Sequence, residues 1–126
     1  FKLRIRQLTR GHHRKPMEER ISDLNSYIRG WYGYFQLTET KKKLIDIDGW
    51  IRTRLRMCQF KRWWKARTRV KQMSRLGLTK EEARGYGQNK RYWHLANVYR
   101  TRFLMNKAYW EKMGYRGLEW NIGKAT

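Results

Sequence analysis

Met17, Ile21, Leu24, Ile28, Trp31 and Phe35 recur at intervals of 4, 3, 4, 3 and 4, a spacing that an α-helix gathers into one apolar face. The spacing predicts a helix over about residues 16–37. Pro16 fits its first turn, where no amide donor is needed, and Glu18 and Glu19 lie near the positive end of the helix dipole. A second stripe, Leu44, Ile47, Ile51, Leu55 and Cys58, is flanked by Trp50, Met57 and Trp64. It predicts a second long helix from about Glu39 to Lys65, with Thr38 as candidate N-cap. Gly30 and Gly33 interrupt the first helix at some cost in helix propensity. They mark either close approach of another backbone beside Trp31 or a local kink.

Beyond residue 65 the patterns shorten. Val70, Met73 and Leu76 outline a brief helix that Gly77 can end, and Thr79-Lys80-Glu81-Glu82 reads as a capping box opening the next. Gly85, Gly87 and Asn89 mark a loop. Asn97 can cap a last helix carrying Val98, Met105, Tyr109 and Met113, with Gly114 in the position of a left-handed C-terminal residue. The tail from Tyr115 to Thr126 has no clear period. The expected fold is all-α: two long helices with a short N-terminal helix before them, then a small cluster of short helices.

Charge sets the kind of partner. Between Gly49 and Lys80 there are eleven Lys or Arg residues and no acid, interleaved with Trp50, Phe60, Trp63 and Trp64. The whole chain of 126 residues carries a formal net charge of +21, more than solubility requires, and self-repulsion of that size weakens a compact state. The missing counter-charge is expected on a polyanion, and stability is expected to rise with salt or with bound nucleic acid. At 100° per residue Arg52, Arg56, Gln59 and Trp63 share the helix face opposite the apolar stripe, the face to offer to RNA. Arg54 projects into the apolar arc and reads as a snorkelling or paired structural arginine. Trp31, Trp50 and Trp64 lie on apolar stripes and read as core. Trp63 either stacks on a base or sugar or packs against the C-terminal cluster. Arg67, Arg69 and Lys71 follow with no intervening acid and read together as phosphate contacts. The predicted RNA contacts are Arg29, Arg52, Arg56, Lys61, Arg62, Trp63, Lys65, Arg67, Arg69 and Lys71.

Catalysis finds little support. Asp46 and Asp48 are two residues apart, so on a helix their side chains diverge by about 200°, and they read as neutralising Lys41, Lys42, Lys43 and Arg52 rather than as metal ligands. His12, His13 and His94 have no partners at metal-ligand or triad spacing. There is no glycine-rich phosphate loop. Cys58 is alone, which excludes an internal disulfide and a cysteine-rich zinc site and fits a reducing compartment. No apolar run reaches membrane-spanning length and no signal sequence opens the chain. A chain opening on Phe1 is expected to be a segment of a longer one.

The segments EERISDLN (18–25), SYIRGWYGYFQL (26–37), DGWIRTRLRMCQFKRWWK (48–65), TRVKQMSRLGL (68–78), KRYWHLAN (90–97) and EKMGYRGL (111–118) together strongly resemble the maturase-specific region of group II intron-encoded reverse transcriptases. The resemblance implies that residues 1–65 are domain X, a helical thumb, and residues 66–126 a DNA-binding region. It implies a role in folding and splicing the intron RNA and in gripping the template and primer during reverse transcription and intron mobility. Implied partners are group II intron RNA, the RNA template with its DNA primer and, as a further candidate, target DNA. The implied setting is the bacterial cytoplasm or an organelle. Splicing chemistry would belong to the RNA. Polymerase chemistry, with its Mg2+, would belong to a palm whose paired aspartates are absent here, so this segment is expected to be neither an enzyme nor a cofactor binder. Pro16 stands where family members often carry Ser, and the HNH endonuclease module of some members has no counterpart after Trp120, which gives no support for target-DNA cleavage. Three other classes share some of these features. They are a structural rRNA-binding protein, which would be a complete chain with its own start; an enzyme domain, which would need a clustered constellation; and a membrane-surface binder, which would need Lys-rich amphipathic helices.

Overall fold

The computed structural model describes residues 1–10 and 15–118. The fold is all-helical, and no strand occurs among these residues. Its elements are α1 (Lys2–Leu8), α2 (Met17–Thr38), α3 (Lys41–Arg62), α4 (Ala66–Arg75), α5 (Lys80–Gln88), α6 (Tyr92–Asn97), α7 (Tyr99–Leu104) and α8 (Lys107–Lys112). His12, His13 and Trp120 lie outside the described residues, as does the tail beyond Leu118.

The two long helices follow their apolar stripes. Ile21, Leu24 and Ile28 of α2 and Leu44, Ile51, Leu55 and Cys58 of α3 are buried together. The chain reverses between them at Glu39 and Thr40, and the Thr40 hydroxyl, not that of Thr38, caps α3 by accepting from the Lys43 amide at 3.2 Å. Thr38 is still inside α2, where its hydroxyl donates to the Tyr34 carbonyl. α2 runs through Gly30 and Gly33 without a break, and a methyl group built at either meets nothing within 4 Å. Among the described residues no backbone approaches either glycine, and the helix continues through both.

Helix α1 returns along α2. Phe1 stacks on Tyr27 at 5.7 Å and meets Phe35 edge-on at 4.9 Å, while Arg20 donates to the carbonyls of Leu8 and Arg10. Thus the start of α1 lies against the end of α2, and the end of α1 against its start.

The short helices depend on caps and on close backbone approach. Gly77, at φ +117°, ends α4 in a Schellman arrangement: its amide bonds the Ser74 carbonyl at 3.1 Å and the Leu78 amide bonds the Met73 carbonyl at 3.3 Å, with Met73 and Leu78 both buried. Gly114, at φ +105°, does the same after α8 through Glu111 and Trp110. The Thr79–Glu82 capping box is complete. The Glu82 carboxyl is held below its usual range by hydrogen bonds from the Thr79 amide and hydroxyl. Gly85 and Gly87 belong to α5 rather than to a loop, because Gly87 is where α5 meets α4: a methyl there would lie 2.6 Å from Val70 Cγ2 and 3.3 Å from the Ala66 carbonyl oxygen. Asn97 does not open a long last helix. It closes α6, donating to the Trp93 carbonyl, and the chain breaks at Val98 (ψ 137°) and again before Asn106, whose side chain caps α8.

The segment after α8 folds back onto the long helices. Asn25 of α2 donates to the Gly114 carbonyl at 2.8 Å and accepts from the Arg116 amide at 2.9 Å. Asp48 of α3 is buried and accepts from the Tyr115 hydroxyl at 3.0 Å and the Leu118 amide at 2.9 Å. Asp48 is therefore buried within the fold rather than lying on its surface. It anchors the C-terminal segment.

Candidate nucleic-acid interface

The arginines divide by what their guanidinium groups touch. Arg69 of α4 is completely buried. It donates to the carbonyls of Tyr86 and Gly87 (both 2.9 Å) at the end of α5, to those of Trp63 (3.0 Å) and Trp64 (2.7 Å) after α3, and to the Tyr92 hydroxyl. Its guanidinium also lies 5.3 Å from the centre of the Tyr92 ring. The last carbonyls of a helix have no partner within it and carry the negative end of the dipole, so one planar cation with five donors satisfies two helix ends at once. Arg56 of α3 does the same elsewhere. It is buried and donates to the Ala96 carbonyl (2.9 Å) at the end of α6, the Met105 carbonyl (3.2 Å) at the end of α7, and the Thr53 hydroxyl (2.8 Å). Burial, then the nearby charges of Arg102 and Arg52, push its pKa down to about 10.

Arg54 and Arg20 repeat the arrangement at the end of α1. Arg54 donates to the Thr9 hydroxyl (3.0 Å) and the Arg6 carbonyl (3.2 Å), so its place in the apolar arc is that of a paired structural group.

The face of α3 expected to be open is therefore partly closed. Arg56 and Gln59 are buried because α6, α7 and α8 fold over them, and Gln59 reaches the Tyr109 hydroxyl at 3.4 Å. Trp63 is half-buried, edge-on to Phe60 at 6.1 Å, so its packing is with the core. Arg52, Lys61 and Arg62 are half-buried; Arg29, Lys65, Arg67 and Lys71 are exposed. Trp64, expected in the core, is 55% exposed, with the Lys65 ammonium 5.4 Å from its ring centre. Trp64, Lys65, Arg67 and Lys90 line a shallow hollow beside the start of α4. Trp50 is half-buried between the lysine and arginine of α1, with Lys2 Nζ 5.5 Å and the Arg6 guanidinium 5.4 Å from its ring.

A second basic surface was missed in the sequence. Between α3 and α7 lies a cleft of about 470 Å³ lined by Arg52, Arg56, Tyr99, Arg102, Phe103 and Lys107, among others. A signal for it exists: residues 83–110 contain no acid and carry Arg84, Lys90, Arg91, Arg100, Arg102 and Lys107 among seven aromatic residues. Among the described residues no group of three His, Cys, Asp or Glu side chains is placed to hold a metal ion, and no helix is long and apolar enough to cross a membrane.

Residues 1–77 match the family described as the group II intron, maturase-specific domain, a span of more than half the chain. The chain belongs to that family. Membership implies a role in intron splicing and binding of group II intron RNA. In this maturase-specific domain the match continues through α4 to Gly77, so it includes Arg69 and the helix end that Gly77 closes. No curated protein matches the chain.

Proposed function

We propose that this maturase-specific domain binds structured intron RNA through Arg29, Arg52, Lys61, Arg62, Lys65, Arg67 and Lys71, assists the folding and splicing of the intron, and grips the template and primer in a parent reverse transcriptase. The parent polymerase, the target DNA as a further partner, the division into a thumb over 1–65 and a DNA-binding part over 66–126, and a bacterial cytoplasmic or organellar setting belong to the same proposal. The observation that carries it is the family match over residues 1–77, which takes in every one of these cations. The division of the arginines supports it. Arg56 and Arg69 satisfy helix ends inside the fold, and leave the contact list as organisers of the surface. Trp63, half-buried against Phe60, stays in the proposal as a stacking platform. The exposed cations Lys65, Arg67 and Lys71 have no acid beside them in sequence, which suits phosphate neutralisation by counterion release. A-form duplex offers its wide minor groove and phosphates to a helix laid alongside.

Binding of the 126-residue chain to group II intron RNA tests this across a salt titration. With about six phosphates neutralised, affinity falls on the order of a thousandfold between 50 and 200 mM salt. A flat titration, or no acceleration of splicing at low magnesium, contradicts the proposal.

A further inference from the structure

Two clefts meet on the side of α3 that faces α6 and α7. The first, of about 470 Å³, is lined by Tyr99, Phe103, Arg102, Arg52 and Lys107, with the buried Arg56 reaching it from α3. The second, of about 440 Å³, is lined by Trp50, Trp93, Asn97 and Asp46. Gly49, Arg52 and Arg102 line both, so the two form one groove divided by a pair of arginines. Each half falls within the size range of sites that take small planar groups.

The groove has an unusual balance of chemistry. Tyr99 is 80% exposed and Phe103 58% exposed, and Trp93 is exposed on the other side of the arginines. Tyr99 and Phe103 are four residues apart on α7 and so leave the same face of the helix. Rings left this exposed on short helices contribute little packing energy to the fold. Three arginines converge on the first cleft with no acid lining it, and Lys107 there also reaches Glu111 at 4.0 Å. The one acid in the groove is Asp46, in the second cleft. Arg56 feels this crowding directly: Arg102 and Arg52 both add to the burial that lowers its pKa. An anion in the groove relieves that repulsion.

We infer that the groove between α3 and α6–α7 binds an unpaired stretch of RNA, its bases stacked on Tyr99, Phe103 and Trp93 and its phosphates at Arg52, Arg102 and Lys107. This rests on the reading of the chain as an RNA-binding maturase domain and adds a second class of contact to it. A duplex has no use for the exposed rings, because its bases are already stacked, whereas splayed bases gain most from them. Arg52, Arg102 and Lys107 against Asp46 as the one acid lining the groove leave an excess of positive charge, which gives the phosphates their place and disfavours an apolar or basic protein surface.

The test compares a ten-nucleotide uridine RNA, the matching thymidine DNA and a ten-base-pair RNA duplex, each titrated by fluorescence anisotropy against the 126-residue chain. Tyr99→Ala with Phe103→Ala raises the Kd for the uridine RNA at least tenfold and changes duplex binding less than twofold. Both side chains are exposed, so the melting temperature stays within a few degrees. Tyr99→Phe keeps the ring and keeps the affinity, while Tyr99→Leu loses it, which separates stacking from simple bulk. Parallel loss of both ligands, or no loss of either, overturns the inference. Uridine RNA bound at least as tightly as the DNA supports it, and tighter capture of the DNA overturns the assignment to RNA. A wild-type chain that binds the duplex but not the uridine RNA overturns the groove and leaves the proposed function standing; binding neither overturns both.

Discussion

The pair α2–α3 and the cluster α4–α8 solve the same problem in different ways. Each long helix has 22 residues and an unbroken apolar stripe, so packing along the stripe sustains it. In the cluster no helix exceeds 10 residues and three have 6, below the length at which a helix holds in water. There the ends are the structure. Two Schellman turns, a capping box and the guanidinium groups of Arg56 and Arg69 satisfy groups that longer helices keep inside themselves. A strongly basic chain thus uses part of its charge internally, and the difference between the two regions predicts which substitutions are severe.

The largest effect belongs to Arg69. Replacing it with Met strands four carbonyls at two helix ends, and unfolding in urea shows a loss of about 4 kcal/mol or more. Arg69→Lys does not rescue it fully, since one ammonium cannot reach all five acceptors. A wild-type midpoint for Arg69→Met breaks the comparison.

Arg56→Gln comes next, at about 3 kcal/mol, because the Ala96 and Met105 carbonyls stay buried without their donor. Arg52→Gln, one turn away on the same face and half-buried, lowers the urea midpoint less than Arg56→Gln does and weakens RNA binding. Arg54→Gln falls between, at about 1 kcal/mol, since its two bonds to α1 are only half-shielded from water.

Glycines sharpen the contrast with opposite signs. Gly87→Ala forces Val70 away from α5 and costs about 2 kcal/mol. Gly30→Ala and Gly33→Ala meet no neighbour and gain roughly 0.5–1 kcal/mol each in helix propensity. Thermal melts of the three variants read this directly; destabilisation by Gly30→Ala would mean that α2 is not the uninterrupted helix described.

The smallest effect on stability, and a probe of it, is Cys58. Its thiol is fully buried, and burial raises its pKa against the opposing pull of Arg20, Arg62, Lys61 and Arg54. Alkylation of the folded chain at pH 8 is slow and tracks opening of α3, faster in Arg56→Gln than in Arg52→Gln. Rapid native labelling contradicts the burial.

What was legible in the sequence follows the same division. The stripes of α2 and α3, the capping box at Thr79, and the turns at Gly77 and Gly114 could be read because each is a local pattern with a local physical cause. The structural role of Arg54 was legible because its position falls among apolar residues. Arg56 was not, since an arginine on a polar face looks the same whether that face meets water or meets α6 and α7. The two breaks after residue 90 were hidden because a helix of six residues has no period to read, and Asn97 and Asn106 carry the same capping chemistry in sequence. Thr38 and Thr40 pose the same choice, decided by which hydroxyl meets the Lys43 amide. The aromatic groove was not legible because Trp93, Tyr99 and Phe103 lie on helices of six residues, too short for the sequence to show which face they share.

The central claim is that buried arginines build the surface and exposed cations bind the RNA. Lys65→Gln, Arg67→Gln and Lys71→Gln combined in one chain test it most directly, by the slope of log affinity for intron RNA against log salt. The account predicts that the slope becomes shallower by about two to three while the urea midpoint holds or rises. An unchanged slope, or a slope change that appears only together with unfolding, contradicts it.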